Sequence, residues 1–333
     1  MDKKKIPPYT VAIRTLGKSG ESYRRLLKSI TFLQPQPQEV IVAIPHGYEL
    51  PPERLGFERF IHCGKGMVRQ RVAGGEAAEC DFILFLDDDL EFPSDLVRRL
   101  YGPLAEGLSH ISFPIMFETF LPKPGMRTLI PALTGAAVPM IFGRDKYYIK
   151  MLANGGWSYN RFGKRHHAYY SSHSAPGPCF FANKKAFLRI DFEVEVWVQN
   201  SGYAQFEDAI MFYKSHCRGN TPIGVSDTGI VHLDFGKTEP GRRLNATYAR
   251  EMNFIIFWHR FLFGTAGTLW EKVFRVLCFS YTVVSGLTIS IAAGCLRRTS
   301  KELVASLNGL RDAYTFLTSQ EYRNLPPVFI REG

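Results

Sequence analysis

The sequence lacks the short patterns that announce a metal cage, a nucleotide cradle or an export signal. Its six cysteines, at 63, 80, 179, 217, 278 and 295, form no CxxC pair and no zinc spacing. A zinc site is therefore not expected, and reduced thiols in a cytosolic setting are the simplest reading. Lys18 and Ser19, between Gly17 and Gly20, lack the upstream glycine of a P-loop. The acidic cluster at 87–89 lacks the acidic spacing and central glycine of an EF-hand. The first residues, Met1-Asp2-Lys3-Lys4-Lys5, are charged and run into prolines without the apolar core of a signal peptide, so residence on the cytoplasmic side is expected. A surplus of 41 Lys and Arg over 31 Asp and Glu, net +10, suits anionic partners. No recognition motif accompanies it, so nucleic acid is not expected among them.

What is present begins with Phe82-Ile83-Leu84-Phe85-Leu86, five apolar residues that read as a strand buried on both faces, as in a parallel sheet. This strand delivers Asp87, Asp88 and Asp89 to its C-terminal edge. In open α/β sheets ligands bind at that edge, and adjacent carboxylates need a cation or shifted pKa values. Hard oxygen ligands on a turn suit Mg2+ or Mn2+, whose shell substrate phosphates complete. A diphosphate-bearing substrate follows as the first expectation, although acidic clusters at strand ends also serve only to solvate a turn.

The rest of the first half supports a sheet. Tyr9 to Thr15, Glu39 to Pro45 and Arg59 to Cys63 read as strands. Glu21 to Leu33 and Met67 to Ala78 read as helices, and Ser94 is positioned to cap a third running to about Leu104. This order implies a doubly wound, mostly parallel sheet with flanking helices. From Ile111 to Ser174 no period is visible, and long loops are expected there. Its basic segment Lys164-Arg165-His166-His167 reads as a solvated loop. Pro176-Gly177-Pro178-Cys179-Phe180-Phe181 runs into a further strand and a helix start, and Glu207-Asp208 stands at the head of a helix. Gly224 to Val231 reads as one short strand ending in His232, followed by a basic loop through Lys237, Arg242 and Arg243.

Taken in order, these features resemble glycosyltransferase family 2, inverting enzymes of the GT-A fold. The residues that carry the resemblance are Asp87-Asp88-Asp89 in the place of the Asp-x-Asp motif, Pro176 to Phe181 as the acceptor-side strand, Glu207-Asp208 as the Glu-Asp pair, and His232 downstream. The resemblance implies that Asp87 faces the nucleotide ribose and Asp89 ligates Mg2+ or Mn2+ on the diphosphate, with Asp87 and His232 completing the candidate metal set and a diphosphate contact the alternative role for His232. It implies that Asp208 is the catalytic base, with Glu207 and Pro178 on the acceptor side. Arg14, Arg69 and Arg242 complete the candidate donor-binding set. Where many family members carry an acidic residue after the second strand, this chain reads Ile44-Pro45-His46-Gly47, leaving the base open. The Gln-x-x-Arg-Trp motif of processive members is absent, so transfer of one or a few sugars is implied.

From Met252 the composition turns aromatic and apolar, and no charge occurs in the 21 residues from Val276 to Leu296. That length admits a bilayer span, yet serines, threonines and glycines dilute it. Three readings stay open: a span, an interfacial hairpin with Arg275, Arg297 and Arg298 at the head groups, and a helix buried against the enzyme or its twin. Lys301 to Leu317 reads as an amphipathic helix. Tails with a late Gly-Leu-Arg-Asp, here Gly309 to Asp312, resemble those of enzymes that extend lipid-linked sugars.

The expected organisation is a GT-A-like catalytic domain over 1–245 and a helical membrane-associating region over 246–333, held on the cytoplasmic face of the membrane peripherally or through 254–296. The expected activity is metal-dependent, inverting transfer of a sugar from a nucleotide-diphosphate donor to a lipid-linked or glycan acceptor in cell-surface polysaccharide synthesis. Rival readings are a nucleotidyl- or phosphoryl-transfer enzyme and a non-catalytic membrane scaffold. Homo-oligomerisation stays open.

Overall fold

Eight short apolar segments pair into one sheet because most are buried on both faces and can satisfy their backbones only against one another. In the computed structural model, which describes residues 5–18, 20–116, 126–144, 146–160, 167–234, 242–297 and 300–329, these strands are Tyr9–Arg14 (β1), Glu39–Pro45 (β2), Arg59–Cys63 (β3), Phe82–Asp87 (β4), Ile111–Pro114 (β5), Tyr169–Ser171 (β6), Cys179–Asn183 (β7) and Ile223–Val225 (β8). Their order across the sheet is β6-β8-β5-β7-β4-β1-β2-β3. The half from β4 to β3 is parallel throughout. β7 runs antiparallel to β4 and β5, and β6 antiparallel to β8. The mostly parallel α/β architecture expected from the sequence is present.

Register places the chemistry. β1 and β4 pair so that Arg14 lies opposite Asp87 at their carboxyl ends. Helices Gly20–Thr31 (α1), Met67–Ala77 (α2) and Leu96–Ala105 (α3) cover the sheet. α2 approaches closely because two of its positions are glycine: a Cβ at Gly74 would lie 3.3 Å from that of Ala12, and one at Gly75 would strike the Phe187 ring at 2.5 Å. The inward face of α2 therefore carries Val68, Arg71 and Gly75, one helical stripe, while Arg69 points out.

The chain divides into two compact units. The first comprises Met1–Leu121, Phe162–Val196 and Met211–Lys237, the second Pro122–Arg161, Trp197–Ile210 and Thr238–Gly333. The units interleave along the chain, where the sequence suggested consecutive domains meeting near 245. The first contains the whole eight-stranded sheet and a small ladder in which Val231–His232 pairs with Leu90–Glu91.

The second unit is built on helices Arg242–Phe257, Leu269–Arg297 and Lys301–Thr318. Gly309 lets the first and last of these touch, since a Cβ there would meet the Tyr248 carbonyl oxygen at 2.6 Å. Tyr248 also donates from its hydroxyl to Asp312 at 2.9 Å. The Gly309-to-Asp312 signature is thus a helix–helix contact.

Several expectations need correction. Ser94 does not cap α3, which starts after Asp95 and has no side-chain cap bond. The segment read as one strand ending in His232 is two, Ile223–Val225 in the main sheet and Val231–His232 in the small ladder, because a turn with Asp227 and Gly229 at positive φ separates them. The region read as loops holds β5, β6, helix Met126–Leu133 and a three-stranded sheet of Ala137–Pro139, Trp157–Tyr159 and Ile149–Met151. Strands of three residues are too short to show a period. Ser19, Lys164, Arg165, His166, Lys237, Arg298 and the side chains of Arg242 and Arg297 lie outside the described residues.

Candidate functional site

The pairing of β1 with β4 sets the first part of the site. Arg14 donates from Nε to Asp87 Oδ1 and from Nη2 to Oδ2, the latter at 2.7 Å, a two-point ion pair that holds both groups in one orientation. The backbone N–H of Asp87 donates to the Pro178 carbonyl at 2.8 Å, extending the β4–β7 ladder by one residue. Behind them, Arg71 is almost wholly buried and donates from Nη2 to the Gly177 carbonyl at 3.0 Å, with the same nitrogen 3.9 Å from Asp87 Oδ1. Gln70 donates to the carbonyls of Thr15 and Ala43 at 2.9 and 3.0 Å, tying the carboxyl ends of β1 and β2 together. A small cavity is lined by Arg14, Gln70, Arg71, Asp87 and Gly177, among others.

The turn after β4 directs the other two aspartates apart. The Thr15 hydroxyl donates to Asp88 Oδ2. Asp89 Oδ2 meets His232 Nε2 at 2.8 Å, and the Leu233 N–H donates to the Asp89 carbonyl at 2.8 Å, so the small ladder fixes this pairing. Burial favours the neutral ring of His232. The hydrogen bond and charge of Asp89, with the charges of Asp87 and Asp234, outweigh it, and its pKa is raised above the ordinary histidine value. Burial, with the charge of Asp87, likewise pushes the Cys179 thiol well up, so that thiol stays protonated.

Asp89 Oδ1 is buried and accepts no hydrogen bond among the described residues. A buried carboxylate oxygen without a donor fits a cation, and Mg2+ or Mn2+ commonly takes one or two protein carboxylates and leaves the rest of its shell to phosphates and water. Among the described residues no group of three or more His, Cys, Asp or Glu side chains is arranged to hold an ion. The expected set of Asp87, Asp89 and His232 is not assembled, since Arg14 engages Asp87 and the His232 ring nitrogen faces Asp89. What fits a metal here is the Asp89 carboxylate, oriented by His232.

Glu207 and Asp208 open helix Glu207–Cys217 (α4). Asp208 Oδ1 accepts from the Ala209 N–H at 2.8 Å, and both carboxylates gain from the positive end of the helix. Glu207 is buried and Asp208 half-buried. The residue before them, Phe206, has φ +73°, a left-handed backbone that costs a non-glycine residue on the order of 1–3 kcal/mol. Aromatic packing holds it there: its ring stacks on Trp157 at 5.4 Å and lies 5.7 and 5.9 Å from Phe254 and Phe257. Asn253, fully buried, donates from Nδ2 to the Val198 and Gln205 carbonyls and the Ser201 hydroxyl at 2.9–3.1 Å, pinning the approach to this turn. Further along α4, Lys214 and Glu195 form a fully buried ion pair at 2.7 Å.

Residues 59–190, running from β3 past the carboxylate edge to the end of helix Lys184–Leu188, match the family described as glycosyl transferase family 2. Over that window the chain is similar to glycosyl transferase family 2. The matched window contains Asp87, Asp89 and Pro178 and stops before Asp208 and His232. Among 174 matching solved chains, S. aureus TarS 1-349 aligns over 92% of this chain and 81% of its own, at 11% identity and TM-score 0.50. GalNAc-T7 with UDP, GalNAc and Mn2+ aligns over 81% of this chain and 55% of its own, at 12% identity and TM-score 0.44. No curated protein sequence is matched. What the likeness to TarS shows is a shared GT-A fold.

Of the site residues expected from sequence, the fold brings Arg14, Asp87 and Pro178 together and sets Asp89 against His232. Arg69 is exposed, with its side chain beside Gly64. Its neighbour Arg71 occupies the inward position, and the Gly74-Gly75 pair was the signal for which face turns in. Thr15, Gln70 and Asn253 carried no sequence signal, because each acts through a partner distant in the chain.

Proposed function

We propose that this family 2 glycosyltransferase moves a sugar from a nucleotide-diphosphate donor to a hydroxyl of a lipid-linked or glycan acceptor, with inversion at the anomeric carbon and without processivity, in building a cell-surface polysaccharide. The observation that carries this reading is the Asp89 carboxylate, half-buried at the sheet's ligand edge with one oxygen oriented by His232 and the other, buried, without a donor among the described residues. Asp87, held by Arg14, is the ribose contact. Asp89 would hold Mg2+ or Mn2+, which when bound supplies positive charge to the departing diphosphate.

Asp208 accepts the proton of the acceptor hydroxyl while that oxygen forms its bond to the anomeric carbon. The bond from the anomeric carbon to the diphosphate oxygen breaks, and its electron pair leaves with the nucleoside diphosphate. The buried Glu207 and the strained turn at Phe206 hold Asp208 in one orientation. Helix Leu269–Arg297, whose Leu269–Ala292 stretch is long and apolar enough to cross a membrane by length and composition, supports placement at the cytoplasmic membrane face, where a lipid-linked acceptor is met.

The test is thermal unfolding of the purified protein with UDP, GDP, CDP, ADP and dTDP and their sugar conjugates, each with and without Mn2+. One base should stabilise in a metal-dependent way, by about 2.7 kcal/mol at a hundredfold excess over Kd. Asp89→Ala should remove the metal dependence. Stabilisation of folded protein by none of these ligands would reject the donor site.

A further inference from the structure

We infer that helix Leu269–Arg297 lies flat in one leaflet of an anionic bilayer, as a one-sided anchor, and does not cross it. The inference rests on the membrane-facing reading above and decides how the membrane is met.

The outward face of the helix is a continuous apolar stripe. Trp270, Phe274, Leu277, Tyr281 and Val284 recur at three- and four-residue steps, Ile291 follows two turns on, and all six are 50–83% exposed. The hydroxyls interspersed with them are satisfied within the helix, Ser285 on the Tyr281 carbonyl at 2.7 Å and Thr288 on the Val284 carbonyl at 2.9 Å. The surface does not end with this helix. The Tyr281 hydroxyl donates to the Leu133 carbonyl at 2.6 Å, and helix Met126–Leu133 itself exposes Leu129, Ile130 and Leu133. The same unit exposes Ile141 and Phe142, at 74% and 86%.

The inward face is committed to the protein. Phe279 stacks on Trp258 with ring centroids 3.9 Å apart. Asn154 Nδ2 donates to the Thr282 hydroxyl at 2.7 Å and to the Gly135 carbonyl at 2.9 Å. Arg275 donates to the Leu262 carbonyl and pairs with Glu271. Thr282 lies near the middle of the uncharged run, and Asn154 lies between two strands of the three-stranded sheet. A crossing helix would carry that sheet, with its open edges, to mid-bilayer depth, where unpaired backbone groups find no water. A helix lying in the interface keeps every one of these contacts.

Charge selects the lipid. Lys146 and Lys150 follow Ile141 and Phe142, with the Lys150 ammonium 4.3 Å from the Tyr147 ring centre, and Lys272 stands 5.7 Å from that of Phe263. Cations beside half-buried aromatics, on a chain of net charge +10, suit an anionic head-group layer.

The test uses the full chain with Trp270→Phe as background and one tryptophan added at Leu277, Val284 or Ile291, alongside the native chain. Each position is read as the bromine quenching in excess of that of the Trp270→Phe parent, which keeps Trp157, Trp197 and Trp258. Each protein is bound to phosphatidylglycerol-containing vesicles whose lipids carry bromine at known acyl depths. The inference expects one shallow depth for all four positions, about 5–10 Å below the head groups. A profile deepest at Val284 and shallow at both ends would overturn it in favour of a span while leaving the membrane reading intact. Failure of folded protein to bind any vesicle would reject both, and a dimer in that case would assign the stripe to a second copy. In parallel, Leu277→Glu with Val284→Glu should weaken vesicle binding at least about tenfold, with donor-induced thermal stabilisation unchanged.

Discussion

In the first unit, the carboxylates at the end of β4 face side chains from other strands: Asp87 has Arg14, Asp88 has Thr15, and Asp89 has His232. In the second unit, Asp208 stands on its own helix N-terminus, behind a strained Phe206 braced by aromatic rings. The apolar residues are also disposed differently. Those of the first unit are packed on both sides of the sheet, whereas the second unit leaves a 29-residue helix with one face outward. Charge pairing orients the groups proposed to bind the donor, and backbone strain orients the group proposed to take a proton. Orientation by a counter-ion suits a group that only binds. A proton acceptor must be held at one place as the acceptor hydroxyl arrives, and a helix N-terminus behind a braced turn provides for that.

The comparison breaks most visibly at Asp208. Asp208→Asn should lower transfer by about 10²–10⁴-fold while leaving metal-dependent stabilisation by the donor nucleotide unchanged. Normal transfer by this variant would remove the distinction between a binding side and a proton-accepting side.

The buried Lys214–Glu195 pair sharpens it next. With both side chains wholly buried, Lys214→Met alone should cost about 3–5 kcal/mol, because it strands a buried carboxylate. Adding Glu195→Gln should recover most of that loss. Equal loss in single and double variants, measured by denaturant unfolding, would mean that packing, not charge pairing, dominates there. By contrast the Arg24–Glu21 pair is about two-thirds exposed on both sides, and its loss should cost less than about 1 kcal/mol.

The two faces of helix Leu269–Arg297 separate further in the same assay. Phe279→Ala removes a ring stacked on Trp258 and should cost about 3 kcal/mol. Leu277→Ala, on the outward face, should cost less than about 0.5 kcal/mol in lipid-free protein. Similar costs would mean that the outward stripe packs against protein.

The smallest effect is at His232. Its pKa is raised in the folded state, so its pairing stabilises fully below the ordinary histidine value near 6.5 and loses that contribution as pH rises through the folded value. In chelator-treated protein, the stability difference from His232→Gln should be larger at pH 6 than at pH 8.5, by on the order of 1 kcal/mol. A constant difference across that range would mean that the ring is neutral throughout.

The residues that read correctly from sequence are those with strong local patterns. β2 and β3 run over the residues expected of them, and α1 and α2 differ at their ends by one or two residues, since continuous apolar runs and helical stripes are visible without a partner. The Asp87-to-Asp89 edge and the head of α4 were equally legible. The sequence points to Arg69 and the structure turns Arg71 inward, because the hydrophobic pattern of α2 is weak and only its close packing on Ala12 and Phe187 shows which side faces in. Likewise Val231–His232 was joined to the strand before it, since a two-residue ladder has no period.

The sequence by itself determined that a buried strand would carry three aspartates to a ligand edge, that a second acidic pair would head a helix, and that 21 uncharged residues would need an apolar neighbour. These follow from local order alone, from side chains that alternate or recur along a few turns. Only the tertiary structure decided that Arg14 clamps Asp87, that His232 turns to Asp89 and leaves its other oxygen buried without a donor among the described residues, and that one face of helix Leu269–Arg297 is spoken for by Phe279 and Thr282 while the other faces out. Each depends on register between segments tens to well over a hundred residues apart, which no local pattern encodes.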